Sequence, residues 1–194
     1  MDWREFVPGL DDVPTAPMML EAGFPSRLIY ADAADVRGTR DWTSALAWWD
    51  DLEANLRVPR GLAMWESGGV CAATCLTLLA KRFMCWPGLP VPRGTRIGNV
   101  GYTEARALFD SDKTEATLRF GVLVVGGVGV VEYGLDRSIE AMCAAAQMRK
   151  REGVLTLWHL EPAGTARAHD VCMRVLAFLG SGCVVAGTEP PRGA

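Results

Sequence analysis

The sequence predicts an α/β domain in which a mainly parallel, five-stranded sheet lies between two helical layers. Short apolar segments, some rich in β-branched residues, alternate along the chain with amphipathic helical segments. The connections between them are mostly short, as expected for parallel strands joined by helical crossovers. With 194 residues, 49% of them hydrophobic, the chain is long enough to bury a core as one domain. These observations define the fold class.

The N-terminal residues 1–23 are predicted to form an arm or a partner-binding segment. Prolines at positions 8, 14 and 17 interrupt any long element, and Asp11 and Asp12 make part of the segment acidic. A tail packed loosely on the domain is the alternative. The domain itself is predicted over residues 24–188, followed by a short tail at 189–194.

The first helix is predicted over Asp41–Leu56, because its apolar residues recur at helical spacing. Asp41 stands before the first apolar residue and is the predicted N-cap. Trp42 and Trp49 are expected in the core. Trp48 falls outside the main apolar stripe, so we expect it at the stripe's edge or on a partner surface.

A strand, a glycine-bearing turn and an apolar helix follow one another in the next segment, GLAMWESGGVCAATCLTLLAKRF. The strand is predicted at Leu62–Trp65, the turn at Glu66–Gly69, and the helix from about Val70. This order is the layout of a phosphate-binding P-loop, whose full pattern is G-x-x-x-x-G-K-[ST]. The pattern's defined positions fall on Glu66, Cys71, Ala72 and Ala73, so the layout is present without the lysine and the hydroxyl.

The remaining elements follow from periodicity and from Gly/Pro punctuation. Arg149, Lys150 and Arg151 are expected to form a solvated helix end, where positive charge suits the helix dipole. The predicted elements are a Pro/Gly-rich linker at Cys85–Gly94, strands at Thr95–Val100, Phe120–Val125, Val154–Trp158 and Cys183–Ala186, a short helix at Tyr102–Asp110 capped by Thr103, and helices at Leu135–Arg151 and Ala166–Leu179.

Composition excludes several functional classes. A net charge of −3 gives no electrostatic support for nucleic-acid binding. DNA binding through a local basic face is kept as an alternative. The six cysteines form no C-x-x-C pair and follow no secretory signal, so we expect free thiols in the cytoplasm. No apolar run reaches the ~18 residues of a membrane span. Cysteine and histidine spacings match no usual zinc pattern, so neither metal nor cofactor is expected.

From about Ala22 to Thr188 the chain resembles a known family in the order and spacing of its segments. AGFPSRLIYADAADV looks like that family's lead-in segment, and the P-loop-like segment above looks like its first strand, loop and helix. LRFGVLVVGGVGV looks like its Walker B strand. GVLTLWHLEPAGTARAHDVCMRVLAFL looks like its sensor strand and arginine-bearing helix. The family comprises the DnaC-type bacterial helicase loaders and the related IstB transposition helper ATPases, both AAA+ proteins.

The resemblance implies a three-layer AAA+ core whose nucleotide motifs are degenerate. Ala72 and Ala73 replace the Walker A lysine and Ser/Thr, and Gly126 and Gly127 replace the Walker B acids. Arg174 is the candidate arginine finger or sensor; its partner position is Asp170, or Arg167 if the alignment shifts. His159 is expected beside the sensor position as a surface or capped histidine. The vestigial nucleotide-binding segment is Glu66, Ser67, Gly68, Gly69, Val70, Cys71, Ala72 and Ala73.

These replacements would remove phosphate positioning, magnesium binding and water activation together. The resemblance therefore implies a non-hydrolysing pseudo-ATPase, an adaptor or assembly subunit in DNA replication or helicase loading. Its partner would be an AAA+ neighbour or a replicative helicase. One alternative is a divergent ATP-binding loader-type ATPase completed by partner residues. Another is a structural domain of a phage or multiprotein assembly.

Overall fold

A computed structural model describes residues 14, 16–66, 71–85, 99–109, 111–130, 135–162 and 165–187. The strands are β1 (Gly61–Trp65), β2 (Asn99–Glu104), β3 (Phe120–Val128), β4 (Leu155–Leu160) and β5 (Cys183–Gly187). The helices are α1 (Ala16–Glu21), α2 (Ser26–Ile29), α3 (Arg40–Asp50), α4 (Leu52–Arg57), α5 (Cys71–Cys85), α6 (Ser111–Ala116), α7 (Leu135–Arg151) and α8 (Ala166–Leu179). Short 3-10 turns lie at Ala33–Asp35, Ala105–Phe109, Thr117–Arg119 and Gly180–Gly182.

The five strands form one sheet in the order β2-β3-β4-β1-β5, with every neighbouring pair parallel. All strands therefore end at the same edge. Strand β1 lies between β4 and β5, so the residue that follows it is flanked by the end of β4. In sheets of this kind ligands bind at the carboxyl edge.

Alternate strand residues enter two separate apolar clusters, one on each face of the sheet. On β1, for example, Leu62 and Met64 pack with helices α1 to α5, whereas Ala63 and Trp65 pack with α7 and α8. This alternation follows from the two-residue period of a strand. Because both faces are covered, β1 and β3 consist of apolar residues and glycine, whereas β2 and β4 also carry polar residues.

Helices α7 and α8 have the predicted bounds, and β1, β3, β4 and β5 differ from their predictions by one to three residues at an end. The predicted helix Asp41–Leu56 is divided at Asp51 into α3 and α4, and two further predictions about α3 are wrong. The N-cap is Thr39, whose hydroxyl accepts a hydrogen bond from the Trp42 N–H at 3.1 Å, and Asp41 is buried in the first turn. Trp48 is only 3% exposed, because Phe83 of α5 packs edge-on against it.

The helix predicted from Tyr102 is also wrong, because β2 continues to Glu104 and a 3-10 turn follows at Ala105–Phe109. Pairing with β3 keeps this segment extended. The predicted strand at Thr95–Val100 is described only at its last two residues. Most of the predicted Cys85–Gly94 linker lies outside the described residues.

Part of the predicted N-terminal arm packs on the domain. Met19 of α1 is fully buried, and the Ala22 carbonyl accepts a 2.7 Å hydrogen bond from the Tyr102 N–H of β2. Met18 and Leu20 on the same helix remain about half exposed. Residues 1–13 and the predicted tail at 189–194 lie outside the described residues.

The prediction that Arg149 belongs to a solvated helix end is wrong. Its side chain is buried, with the residue only 1% exposed. Its guanidinium donates to the carbonyls of Thr117, Phe120 and Leu155 and to the Thr156 hydroxyl, at 2.6–3.0 Å. Phe120 begins β3 and Leu155 begins β4, so one side chain ties the starts of two strands together. Burial lowers the pKa of Arg149 to about 10, which leaves it charged at neutral pH.

Candidate functional site

The candidate site lies where β1 ends and α5 begins, at the carboxyl edge of the sheet. Of the predicted vestigial nucleotide-binding segment, the structure describes Glu66, Cys71, Ala72 and Ala73. Ser67, Gly68, Gly69 and Val70 lie outside the described residues. The described part of the site therefore consists of the residues at the two ends of the loop and of the strands beside them.

Glu66 points back against the start of α5. Its carboxylate oxygen Oε2 accepts a 3.0 Å hydrogen bond from the Ala72 N–H, and the residue is 8% exposed. Its own N–H donates to the Leu160 carbonyl of β4 at 2.8 Å, which holds the residue at the sheet edge. The first turn of a helix presents N–H groups without helical partners and favours negative charge. Glu66 supplies that charge from within the chain.

His159 approaches the same carboxylate from β4. Its Nε2 lies 3.3 Å from Glu66 Oε2, and both side chains are 7% exposed. The expectation of a surface histidine is wrong, since β4 is covered on both faces. Nε2 lies within ion-pair distance of Glu66 but has no hydrogen-bond partner among the described residues.

The lysine and hydroxyl positions of the pattern carry no polar side chain. Ala72 is fully buried and Ala73 is 6% exposed. Lys81, further along α5, is committed elsewhere: its Nζ donates to the Ala31 carbonyl at 2.7 Å, and burial lowers its pKa. It therefore does not replace the missing lysine.

Gly126 and Gly127, the candidate Walker B positions, lie near the end of β3. The Tyr102 hydroxyl occupies the space where a Cβ of Gly126 would be. That hydroxyl donates to Glu104 at 2.8 Å, and burial, together with the hydrogen bond to Glu104, raises the pKa of Tyr102. Gly127 has φ of +67°, and a Cβ there would lie 2.9 Å from Glu104 Oε2. A side chain from β2 thus fills the space at the first candidate Walker B position.

Sequence analysis missed Tyr102 and Glu104 because it assigned their segment to a helix. A strand continued to Glu104 would have placed a carboxylate at the carboxyl edge of the sheet. The alternation of apolar residues in NVGYTE is too short to reveal this by itself.

Arg174 lies on α8 at 45% side-chain exposure, 3.0 Å from Asp136 of α7 and 4.0 Å from Asp170 of its own helix. Arg167 is also exposed. The structure therefore places the candidate finger on the surface between α7 and α8. Its proposed role remains a prediction.

Cys71 begins α5, a position that can activate a thiol. Here burial raises the pKa of the Cys71 thiol, and its Sγ lies 3.5 Å from the Thr39 hydroxyl. We expect Cys71 in the folded protein to be alkylated by iodoacetamide at pH 8 more slowly than free cysteine, as measured by mass spectrometry. A raised pKa leaves a smaller fraction of the thiol in the ionised, reactive form at that pH. The same chain in guanidinium is the control, and fast labelling of native Cys71 would contradict the expectation.

Other chemistry has little support in the described parts of the chain. No group of three or more His, Cys, Asp and Glu residues there could hold a metal ion. No disulfide joins the six cysteines, all of which the structure describes. In the described ranges, no helix combines the length and apolar character needed to cross a bilayer.

The strand order, the parallel pairing and the strand–loop–helix at the carboxyl edge give the chain an α/β fold of the P-loop NTPase type. Among solved structures it is similar to one titled "Crystal Structure of the DnaI". The match has a TM-score of 0.55 and 16% sequence identity, and covers 84% of this chain and 94% of that chain. At this identity the similarity establishes the fold alone. No family model and no curated protein matches the sequence.

Proposed function

We propose that this chain is a cytoplasmic, non-hydrolysing AAA+-like subunit, a pseudo-ATPase, which serves as an adaptor or assembly factor in helicase loading or DNA replication. One observation carries the proposal. The chain shares its fold with DnaI, a helicase loader, yet places apolar or glycine residues at the positions that phosphoryl transfer needs. Function is thus inferred from a shared fold together with the chemistry of a specific site.

Phosphoryl transfer depends on positioning and on electrostatic stabilisation of the transferred group. In this chain the position of the P-loop lysine holds a buried alanine, Ala72. The position of the magnesium-binding Ser/Thr holds a second buried alanine, Ala73. The place of the first Walker B acid is filled by the Tyr102 hydroxyl. Each loss alone is worth about two or more orders of magnitude in rate. Together they support a role without hydrolysis.

Two exposed features support protein partners. Met18 and Leu20 of α1 are 45% and 54% exposed, and they belong to the predicted partner-binding segment 1–23. Arg174 offers a half-exposed guanidinium on α8, as an arginine finger for an AAA+ neighbour requires. We therefore expect the arm, which includes α1, to contact the helicase, and α8 to face the AAA+ neighbour.

The proposal is tested first by melting the wild-type protein with and without millimolar Mg-ATP and Mg-ADP. A ligand at ~100 times its Kd adds about 2.7 kcal/mol, or roughly 5–10 °C in Tm for a domain of this size. We expect no shift and no hydrolysis, either in the wild type or in Ala72→Lys. A nucleotide-dependent shift in the wild type would contradict the proposal.

Binding to the host's replicative helicase is then measured by sedimentation. We expect the wild type to bind, and Leu20→Asp to weaken binding at least tenfold, because it places a charge in an apolar contact. Val58→Asp is the matched control, since Val58 is 59% exposed on another surface. Absence of binding to the helicase and to every AAA+ neighbour tested would overturn the partner assignment.

A second candidate is an ATPase completed by partner residues, and Glu104 favours it. Its carboxylate lies next to Gly127, so an acid from β2 is near one of the missing Walker B groups. This candidate predicts ATP turnover when the partner is present and its loss in Glu104→Gln. An absence of turnover in the assembled complex would eliminate it.

A further inference from the structure

Three polar groups meet at the first turn of α5. They are the Glu66 carboxylate, the Ala72 N–H that it accepts from at 3.0 Å, and His159 Nε2 at 3.3 Å. Glu66 and His159 are 8% and 6% exposed. A carboxylate is seldom buried to this degree unless donors or positive charge compensate it.

The start of α5 supplies part of that compensation. It is a helix of 15 residues, and such a terminus favours an anion through its free N–H groups and its dipole. In a working P-loop the backbone N–H groups of this turn contact phosphate. Here the Ala72 N–H, at the lysine position, is taken by a carboxylate of the same chain.

His159 provides an independent indication that the place is built for an anion. Its Nε2 is buried, has no hydrogen-bond partner among the described residues, and lies within 3.3 Å of the carboxylate. An imidazole nitrogen that carries a proton is a donor, and in the charged form it is also a cation. The nitrogen is therefore positioned to donate a hydrogen bond to an anion that occupies the site.

We propose that the Glu66 carboxylate is the built-in anion of this site, standing in for phosphate at the start of α5 and excluding phosphate-bearing ligands. Removing it uncovers a phosphate site whose donors are the Ala72 N–H and His159. The inference rests on the proposed function only in that both hold the wild-type site to be without nucleotide. It goes further by naming the group that closes the site.

Two features explain why Glu66 excludes phosphate rather than sharing the site with it. The Glu66 carboxylate oxygen already accepts the hydrogen bond of the Ala72 N–H. A phosphate oxygen would have to displace that carboxylate oxygen to bind the same N–H. A phosphate beside an ionised carboxylate would also meet a like charge in a place shielded from water. Both obstacles disappear when the carboxylate is removed.

The test uses the full chain and inorganic pyrophosphate without metal, with binding measured by titration calorimetry. We expect the wild type not to approach saturation at millimolar pyrophosphate, so that the highest concentration used is a lower limit on its Kd. Glu66→Ala should bind at least tenfold more tightly than the wild type, and the double variant Glu66→Ala/His159→Gln should lose that gain. Glu53→Ala is the matched control, because it removes an equal charge from an exposed residue of α4 and should gain nothing.

A second readout separates a binding role from a purely structural cap. In Glu66→Ala, pyrophosphate should shift the ring signals of His159 in the NMR spectrum, whereas those of His169 should stay in place. If Glu66→Ala does not fold, Glu66→Gln keeps the shape without the charge. The affinity of Glu66→Gln for pyrophosphate should be at least threefold higher than that of the wild type.

The inference is overturned if folded Glu66→Ala, or Glu66→Gln in its place, binds pyrophosphate no better than the wild type. Glu66 would then be only a cap of α5. An equal gain in Glu53→Ala would overturn it too, because the effect would be one of net charge. Helicase binding by the wild type is measured separately, so failure of either test leaves the other result intact.

Discussion

Replacement of Arg149 with methionine is expected to lower the free energy of unfolding by about 3–5 kcal/mol. The guanidinium is the donor for three carbonyls and one hydroxyl at the starts of β3 and β4. Methionine fills much of the volume but leaves these acceptors without their donor in a place closed to water. At this chain length the Tm should fall by roughly 6–20 °C.

Arg151→Met is the matched control, because Arg151 ends the same helix and is exposed. Its effect should stay within about 0.5 kcal/mol, as for most surface substitutions. Arg149→Lys should also be strongly destabilising, since an ammonium lacks the planar fork that reaches several acceptors. Denaturant unfolding followed by circular dichroism measures all three variants. An Arg149→Met protein within 1 kcal/mol of the wild type would show that the buried guanidinium is dispensable.

Introduction of a Walker B acid by Gly126→Asp is expected to destabilise the protein by about 3 kcal/mol or more, without producing hydrolysis. A Cβ at this position would collide with the Tyr102 hydroxyl. The new carboxylate would also be buried beside Glu104, so it would meet a like charge. Equilibrium unfolding and an ATPase assay measure the two parts of this expectation.

Gly126→Ala separates the two causes, because it adds the collision without the charge. The double variant Tyr102→Ala/Gly126→Asp should be less destabilised than the sum of its single variants, since removing the ring makes room. If Gly126→Asp were as stable as the wild type, or if the two changes were simply additive, Tyr102 would not be what fills this place.

Much of the fold could be predicted because its signals are local. The bounds of α7 and α8, the apolar character of β3 and β4, and the glycine-bearing loop after β1 all follow from residues close together in sequence. The prediction that lysine, hydroxyl and acids are replaced likewise rests on residue types at fixed spacings. A parallel sheet and its likeness to a P-loop fold could therefore be expected before any coordinates.

The side chains that occupy the candidate site could not be predicted, because the position of each depends on contacts with a distant strand. Glu66 looked like a departure from a glycine, and only the packing of β1, β4 and α5 brings its carboxylate to Ala72 and His159. Tyr102 was assigned to a helix, whereas pairing with β3 makes it the residue that occupies the space at Gly126.

The same distinction applies to charge and burial. Periodicity and composition determined which segments are strands or helices, because a segment's own apolar pattern decides whether it can cover a core. Arg149 and Trp48 were both expected near the surface, and both are buried. Their surroundings are carbonyls of β3 and β4 in one case and Phe83 of α5 in the other. Tertiary structure alone decided these two positions: Arg149 is buried because carbonyls of distant segments accept its hydrogen bonds, and Trp48 is buried because the Phe83 ring packs against it.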